Sequence, residues 1–217
     1  MNELTTLQQI AIWTLPVIFA ITVHEVAHGW VADKLGDHTA RMLGRLTLNP
    51  IKHIDPIGTI VVPLILLVLG GVIFGWAKPV PINPRNFKHP TKDMAWVAVA
   101  GPMSNLLMAI GWAILIKVGY GLTSSQPEIG IFLVYSGLAG VSINLILLVL
   151  NLLPIPPLDG SRVVSAFLPP KWAYEYNRIE PYGFFILLGM LFLGLLGPLL
   201  SGPYQALQHL IFGWVGI

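Results

Sequence analysis

Two histidines and a glutamate fall within five positions of an otherwise apolar run, ITVHEVAHGW, residues 21–30. On a helix His24 and His28, four apart, are separated by roughly 40° of rotation and about 6 Å of rise, which aims both imidazoles at one point. This is the H-E-x-x-H zinc pattern, with Glu25 standing beside the metal where it can take a proton from a bound water. The competing reading is a pair of histidines hydrogen-bonded inside a helix bundle with Glu25 as their partner. Ionisable groups in an apolar segment are costly without partners, so by default they point to function.

A zinc hydrolase site needs a third protein ligand and an open fourth position. Asp33, Asp37, Asp55, Asp93 and the glutamates other than Glu25 fall in loops or at helix ends. Asp159 stands apart, in NLLPIPPLDG at residues 151–160. Three prolines there break a hydrophobic helix and leave unpaired backbone groups near membrane depth, which is tolerated only inside protein or beside a watery cavity. A Pro-rich helix exit closed by a turn-forming Asp-Gly accounts for the same residues. Both readings stand at this level.

The elements that must position these side chains are membrane helices. The chain has 217 residues, 55% hydrophobic and only 10% charged, with a mean hydropathy of +0.75. That is too apolar for a soluble globule, and the expectation is an all-α polytopic membrane protein folded as a single domain over residues 1–217. At about 20 apolar residues per crossing, four spans are expected: 7–32, 94–117, 131–153 and 182–200. Residues 58–76 are long enough to cross but are interrupted by Pro63, Gly70 and Gly71, and are expected to re-enter instead. Residues 203–217 read as a short interfacial helix. The total is four to six hydrophobic helices around an intramembrane metal site, joined by short extended loops.

Charge orients the chain. Lys34, Arg41, Arg45 and Lys52 follow the first helix, Lys78, Arg85, Lys88 and Lys92 precede the second, and Arg162, Lys171 and Arg178 follow the third, whereas residues 119–130 and the first nine carry no Lys or Arg. The positive-inside rule makes the basic loops cytoplasmic, which requires residues 58–76 to enter and leave on one side. The net charge of +2 is small and forms no broad basic face, so nucleic acid is not an expected partner. Zero cysteines exclude disulfides and thiolate chemistry. The first apolar run contains the HEVAH motif itself, so it is expected to be retained rather than cleaved as a signal peptide.

HEVAH in an early helix, followed by Asn151-x-x-Pro154-x-Pro156-x-x-Asp159-Gly160 in a later one, resembles the site-2 protease family of intramembrane zinc metalloproteases. AGPMSN, residues 100–105, is similar to the Gly-Pro helix that lies between those motifs in the family. The resemblance covers essentially the whole chain and is to small members without PDZ-like or CBS-like domains. It implies one Zn2+ held by His24, His28 and Asp159, Glu25 as general base, and Asn151 facing the active site to hydrogen-bond substrate or oxyanion. It also implies a transmembrane or membrane-bound protein as substrate, a site in the cell membrane nearer its cytoplasmic face, and a loop near residues 75–87 that offers a β-like edge to an extended substrate.

Two other classes share part of this pattern. A metal-ion transporter would also place His and carboxylates in membrane helices, but typically in two related halves, and the chain shows no internal duplication. A catalytically silent relative would have no use for Glu25. His38, His53, His89 and His209 read as solvated or capping residues, Asn105 and Asn144 as interhelical hydrogen-bonding groups, and Gly101 with Pro102 as a close-packing site.

Overall fold

The structure, a computed structural model, describes residues 4–62, 65 and 75–217. Three long helices dominate it: α1 (Thr6–Lys34), α2 (Pro90–Leu122) and α3 (Pro127–Asn151). At 1.5 Å per residue they run roughly 38 to 50 Å, longer than the hydrocarbon layer of about 30 Å, and all three are apolar enough to cross it. Each begins with a recognisable start signal. Thr5 and Gln8 cap α1 reciprocally, the Thr5 hydroxyl accepting from the Gln8 N–H and the Gln8 amide oxygen accepting from the Thr5 N–H. Prolines open α2 and α3, where a missing N–H costs nothing. The chain is an all-α polytopic membrane protein, and no strand occurs among the described residues.

Helices α2 and α3 pack along their length, with α1 against both. Ala109, Ala113 and Ile116 of α2 meet Val141, Leu145 and Leu148 of α3 in the main core. Small residues let the two backbones approach closely, as is usual where lipid removes the hydrophobic drive for association. Leu7, Leu107 and Phe185 are more than half exposed, which suits a surface bathed in lipid tails.

After α3 the chain runs irregularly through Pro154, Pro156 and Pro157 into α4 (Asp159–Phe167), α5 (Pro170–Asn177), α6 (Gly183–Phe192) and α7 (Leu196–Val215). The fourth span expected over 182–200 is not one straight helix and counts as a crossing only if the bent pair on either side of its break is taken as one span. Gly194 takes a left-handed backbone, φ +69°, a conformation that glycine adopts without strain and that ends a helix, and the helical segments on either side are bent by 86°. The expected short interfacial helix at 203–217 is corrected. It belongs to the 20-residue α7, which runs through Pro203 and buries Ile211 and Val215 in the α2–α3 core.

The connection from α1 to α2 holds the segment expected to re-enter. Residues 63–64 and 66–74 of it lie outside the described residues. Its two ends meet: the Trp76 N–H donates to the Gly58 carbonyl at 3.1 Å and the Thr59 hydroxyl donates to the Trp76 carbonyl at 2.9 Å. The segment therefore starts and finishes at one place. Residues 77–83 then run non-helically, as Pro79 and Pro81 require. This stretch is gripped by groups from the preceding loop. Arg45 donates to the Lys78 and Pro79 carbonyls, and the Asp37 carboxylate accepts from the Asn83 N–H at 2.6 Å and the Asn86 amide at 2.7 Å.

Candidate metal centre

Helix α1 delivers His24 and His28 to one face, one turn apart, each only 7% exposed. Asp159, the first residue of α4, arrives from the far side of the chain. The two Nε2 atoms are 3.0 Å apart, and each is 3.3 Å from Asp159 Oδ2. Among the described residues this is the one group of three or more His, Asp or Glu side chains close enough to share a metal ion. The local backbone explains Asp159. Asp159 and Gly160 are the first two residues of α4 and not a turn, and a Cβ at 160 would lie 2.3 Å from the Leu152 carbonyl oxygen. Glycine is needed so that the start of α4 can fold back against the end of α3, which carries Asp159 inward to the histidines.

The donor chemistry fits a divalent cation. His28 Nδ1 lies 2.7 Å from the Val97 carbonyl, which can only accept, so Nδ1 carries the proton and Nε2 presents a lone pair. His24 Nδ1 faces the Asn105 side-chain oxygen at 2.5 Å, with the same consequence. The buried Asp159 Oδ2 has no hydrogen-bond partner. Three electron-pair donors thus converge on one point, and a positive charge placed between them relieves their mutual repulsion. Two imidazoles and one carboxylate form the three-ligand set of a catalytic zinc site.

A cavity of about 330 Å³ opens beside these atoms, lined among others by Glu25, Val80, Asn151 and Arg162. Glu25 is half-buried, and its Oε2 accepts from the Val80 N–H at 2.8 Å, leaving Oε1 for a further partner. The Asn151 amide donates to the Leu147 carbonyl at 3.0 Å and keeps its other N–H. The structure therefore brings together all five residues singled out from the sequence, His24, Glu25, His28, Asn151 and Asp159, around one cavity.

The other histidines have ordinary partners or positions. His38 pairs with Asp33 at 2.8 Å and His89 precedes the first turn of α2, but His53, expected to be solvated or capping, is buried and donates to the Thr47 carbonyl.

The curated relatives bear on this geometry directly. Over 192 residues the chain is 43% identical to "Putative zinc metalloprotease YwhC" of Bacillus subtilis (strain 168), covering 87% of this chain and 83% of that protein. The chain belongs to that family of zinc metalloproteases. It is also 28% identical over 201 residues to "Putative zinc metalloprotease Rip2" of Mycolicibacterium smegmatis, covering 92% of this chain and 72% of the relative. A shorter match, 38% identical over 77 residues, links it to "Putative zinc metalloprotease MJ0611" of Methanocaldococcus jannaschii. No family model matches the chain, and no solved structure does.

Several members of the site were missed from the sequence. Asn105 touches the His24 imidazole and does more than bridge helices, and Arg162, one turn beyond Asp159, lines the cavity while donating to Glu180 at 2.5 Å. Gly101 is a close-packing residue, as expected, but what packs on it are the two histidines: a Cβ there would lie 2.4 Å from His28 Nε2 and 2.6 Å from His24 Cε1. Gly101 and Asn105 are four apart and so share one helical face, which was a usable signal within AGPMSN.

The loop clamp beside the site carries its own charge. Burial pushes the Asp37 carboxyl up, but hydrogen bonds from Thr39, Asn83 and Asn86 outweigh this and hold it below the ordinary carboxylate range. It is thus ionised and holds the 77–86 stretch, with Val80, against Glu25.

Proposed function

We propose that this protein is an intramembrane zinc endopeptidase of the site-2 protease type, cutting peptide bonds in transmembrane or membrane-associated proteins. One observation carries the reading: His24, His28 and Asp159 converge within apolar helices, with Glu25 on the same cavity. His24, His28 and Asp159 hold the metal. When bound, zinc supplies Lewis-acid polarisation of the scissile carbonyl and lowers the pKa of water toward about 7. The Glu25 carboxylate accepts a proton from the attacking water and delivers it to the leaving amine. The Val80 N–H fixes one Glu25 oxygen, so that the other is aimed for this transfer. Asn151, with a spare N–H on the cavity, orients the substrate carbonyl or its oxyanion.

The site opens toward the cytoplasmic face of the cell membrane in this reading. His28 is six residues from Lys34 at the end of α1, and basic residues cluster in the loops that follow α1, precede α2 and follow α3. Because the ligands from α1 and α4 meet, the ends of α1 and α3 lie on the same side. The α1–α2 connection therefore returns to the side it left, in keeping with the joined ends at Gly58 and Trp76.

The test is to incubate the purified protein in detergent with model transmembrane peptides, with and without a zinc chelator, and identify products by mass spectrometry. Chelator-sensitive internal cleavage, restored by zinc, is expected. Zinc binding with no cleavage of any membrane peptide would remove the peptidase reading and leave a metal-binding or transport protein.

A further inference from the structure

We infer that Asn105 is a positioning residue for the metal site: its side-chain oxygen sets the His24 tautomer, and its amide is oriented by two acceptors, the Ala20 carbonyl in α1 and Asn144, itself anchored on the Gly140 carbonyl, in α3. The inference rests on the zinc reading above. The chain of hydrogen bonds begins at the Gly140 carbonyl, which can only accept. The Asn144 amide nitrogen lies 2.8 Å from it, so the Asn144 NH2 group faces Gly140 and its oxygen faces the other way. That oxygen is 2.8 Å from Asn105, which must therefore present its own NH2 group. The same NH2 group donates to the Ala20 carbonyl in α1 at 3.2 Å, an independent constraint with the same sense. The Asn105 oxygen is left facing His24 Nδ1 at 2.5 Å and has to accept. Nδ1 carries the proton and Nε2 keeps its lone pair for the cation.

Both asparagines are completely buried. Reversing either amide would set an N–H against an N–H, or an oxygen against a carbonyl, with no water to relieve it. Burying an unsatisfied polar group costs roughly 1–3 kcal/mol, so the four bonds hold one polarity together. His28 needs no such device, because the Val97 carbonyl fixes its tautomer directly. The chain also ties α1, α2 and α3 to each other at the level of the ligands, so the packing of three helices and the protonation pattern of one ligand are set by the same groups. Outer partners of this kind orient metal-bound imidazoles, and removing one costs roughly 10- to 100-fold in metal affinity.

The experiment compares three variants of the full chain purified in detergent, measuring zinc affinity by chelator competition and the melting temperature of the metal-free protein. Asn105→Leu removes the acceptor from His24. Asn144→Leu breaks the same Asn105–Asn144 bond but leaves Asn105 in place, still oriented by Ala20. Asn105→Asp keeps an oxygen toward His24 but sets its other oxygen against the Ala20 carbonyl and Asn144, so it should lose thermal stability as the Leu variants do. The expected result is that the two Leu variants lose comparable thermal stability, while zinc affinity falls roughly 10- to 100-fold in Asn105→Leu and less than about threefold in Asn144→Leu and Asn105→Asp. Equal zinc losses in the two Leu variants, tracking their melting temperatures, would make Asn105 a helix-packing residue and overturn the inference. If Asn105→Leu does not accumulate as folded protein, Asn105→Asp decides: near-wild-type zinc affinity supports the role as acceptor, and a loss of tenfold or more overturns it. Failure of the parent protein to bind zinc would instead remove the metal-site reading itself.

Discussion

Replacing Gly101 by alanine tests the metal centre with a single methyl group. The added Cβ would lie 2.4 Å from His28 Nε2 and 2.6 Å from both His24 Cε1 and His28 Cε1. Non-bonded heavy atoms rest at about 3.5 Å or more, so the imidazoles must retreat by roughly 1 Å. Metal–nitrogen bonds of about 2.0–2.1 Å tolerate displacements of about 0.2 Å, so the required movement is roughly five times what the site can absorb. The rings have little room to retreat, since His28 is held by the Val97 carbonyl and His24 by Asn105 on the same helix as the new methyl. Because the methyl acts on two of the three ligands at once, zinc affinity should fall by at least the roughly 100-fold upper limit for losing an outer partner, and peptide cleavage with it. Helix propensity works the other way, since alanine is favoured over glycine by about 1 kcal/mol in a helix interior, and the melting temperature of the variant separates loss of zinc from the roughly 1–3 kcal/mol that overpacking can cost the fold. Gly111→Ala in the same helix is the control, because its Cβ would meet nothing within 4 Å. Zinc would be measured by chelator competition and metal analysis, and cleavage by mass spectrometry. If Gly101→Ala binds zinc within threefold of the parent and cuts at a similar rate, the histidines do not hold a metal beside α2 and the site is misread.

Four further outcomes are expected. Glu25→Gln should keep the fold and the zinc but slow cleavage by roughly 10²- to 10⁴-fold, since an amide cannot accept the proton; undiminished turnover, with contaminating proteases excluded, would assign the base elsewhere. Asp159→Ala should lose most of its zinc, and full occupancy by metal analysis would exclude that residue as a ligand. Cysteines introduced at the exposed positions Met42 and Lys88 should label from one and the same face of oriented vesicles; labelling from opposite faces would refute a connection that returns to the side it left. Asp37 titrates below its ordinary value near 3.9 in the folded protein, so its contribution is complete above that value and is lost as the pH falls through the lower folded one. Protection of the Asn83 amide from hydrogen exchange should accordingly hold from pH 8 down through the ordinary carboxylate value and be lost only below it, and a drop already near pH 6 would contradict the clamp.

The sequence by itself determined the helical class, three of the spans and the candidate ligands, because those signals are local. Helical periodicity puts His24 and His28 on one face wherever the helix goes, and prolines at 154, 156 and 157 break the chain before Asp159 whatever surrounds it. Hydropathy could not see the bend at Gly194, because a left-handed glycine between leucines has the same composition as a straight apolar helix. The tertiary structure decided the rest. The placement of Asp159 beside the two histidines depends on Gly160, which brings α4 back onto the end of α3. Asn105, the Val97 carbonyl and the Val80 N–H act on His24, His28 and Glu25 from 81, 69 and 55 residues away. No spacing rule relates residues so far apart. Their meeting depends on how α1 packs against α2 and on how the Asp37 and Arg45 contacts hold the 77–86 stretch. Which polar group a buried imidazole finds is settled by packing, since only packing removes the water that would otherwise serve as its partner.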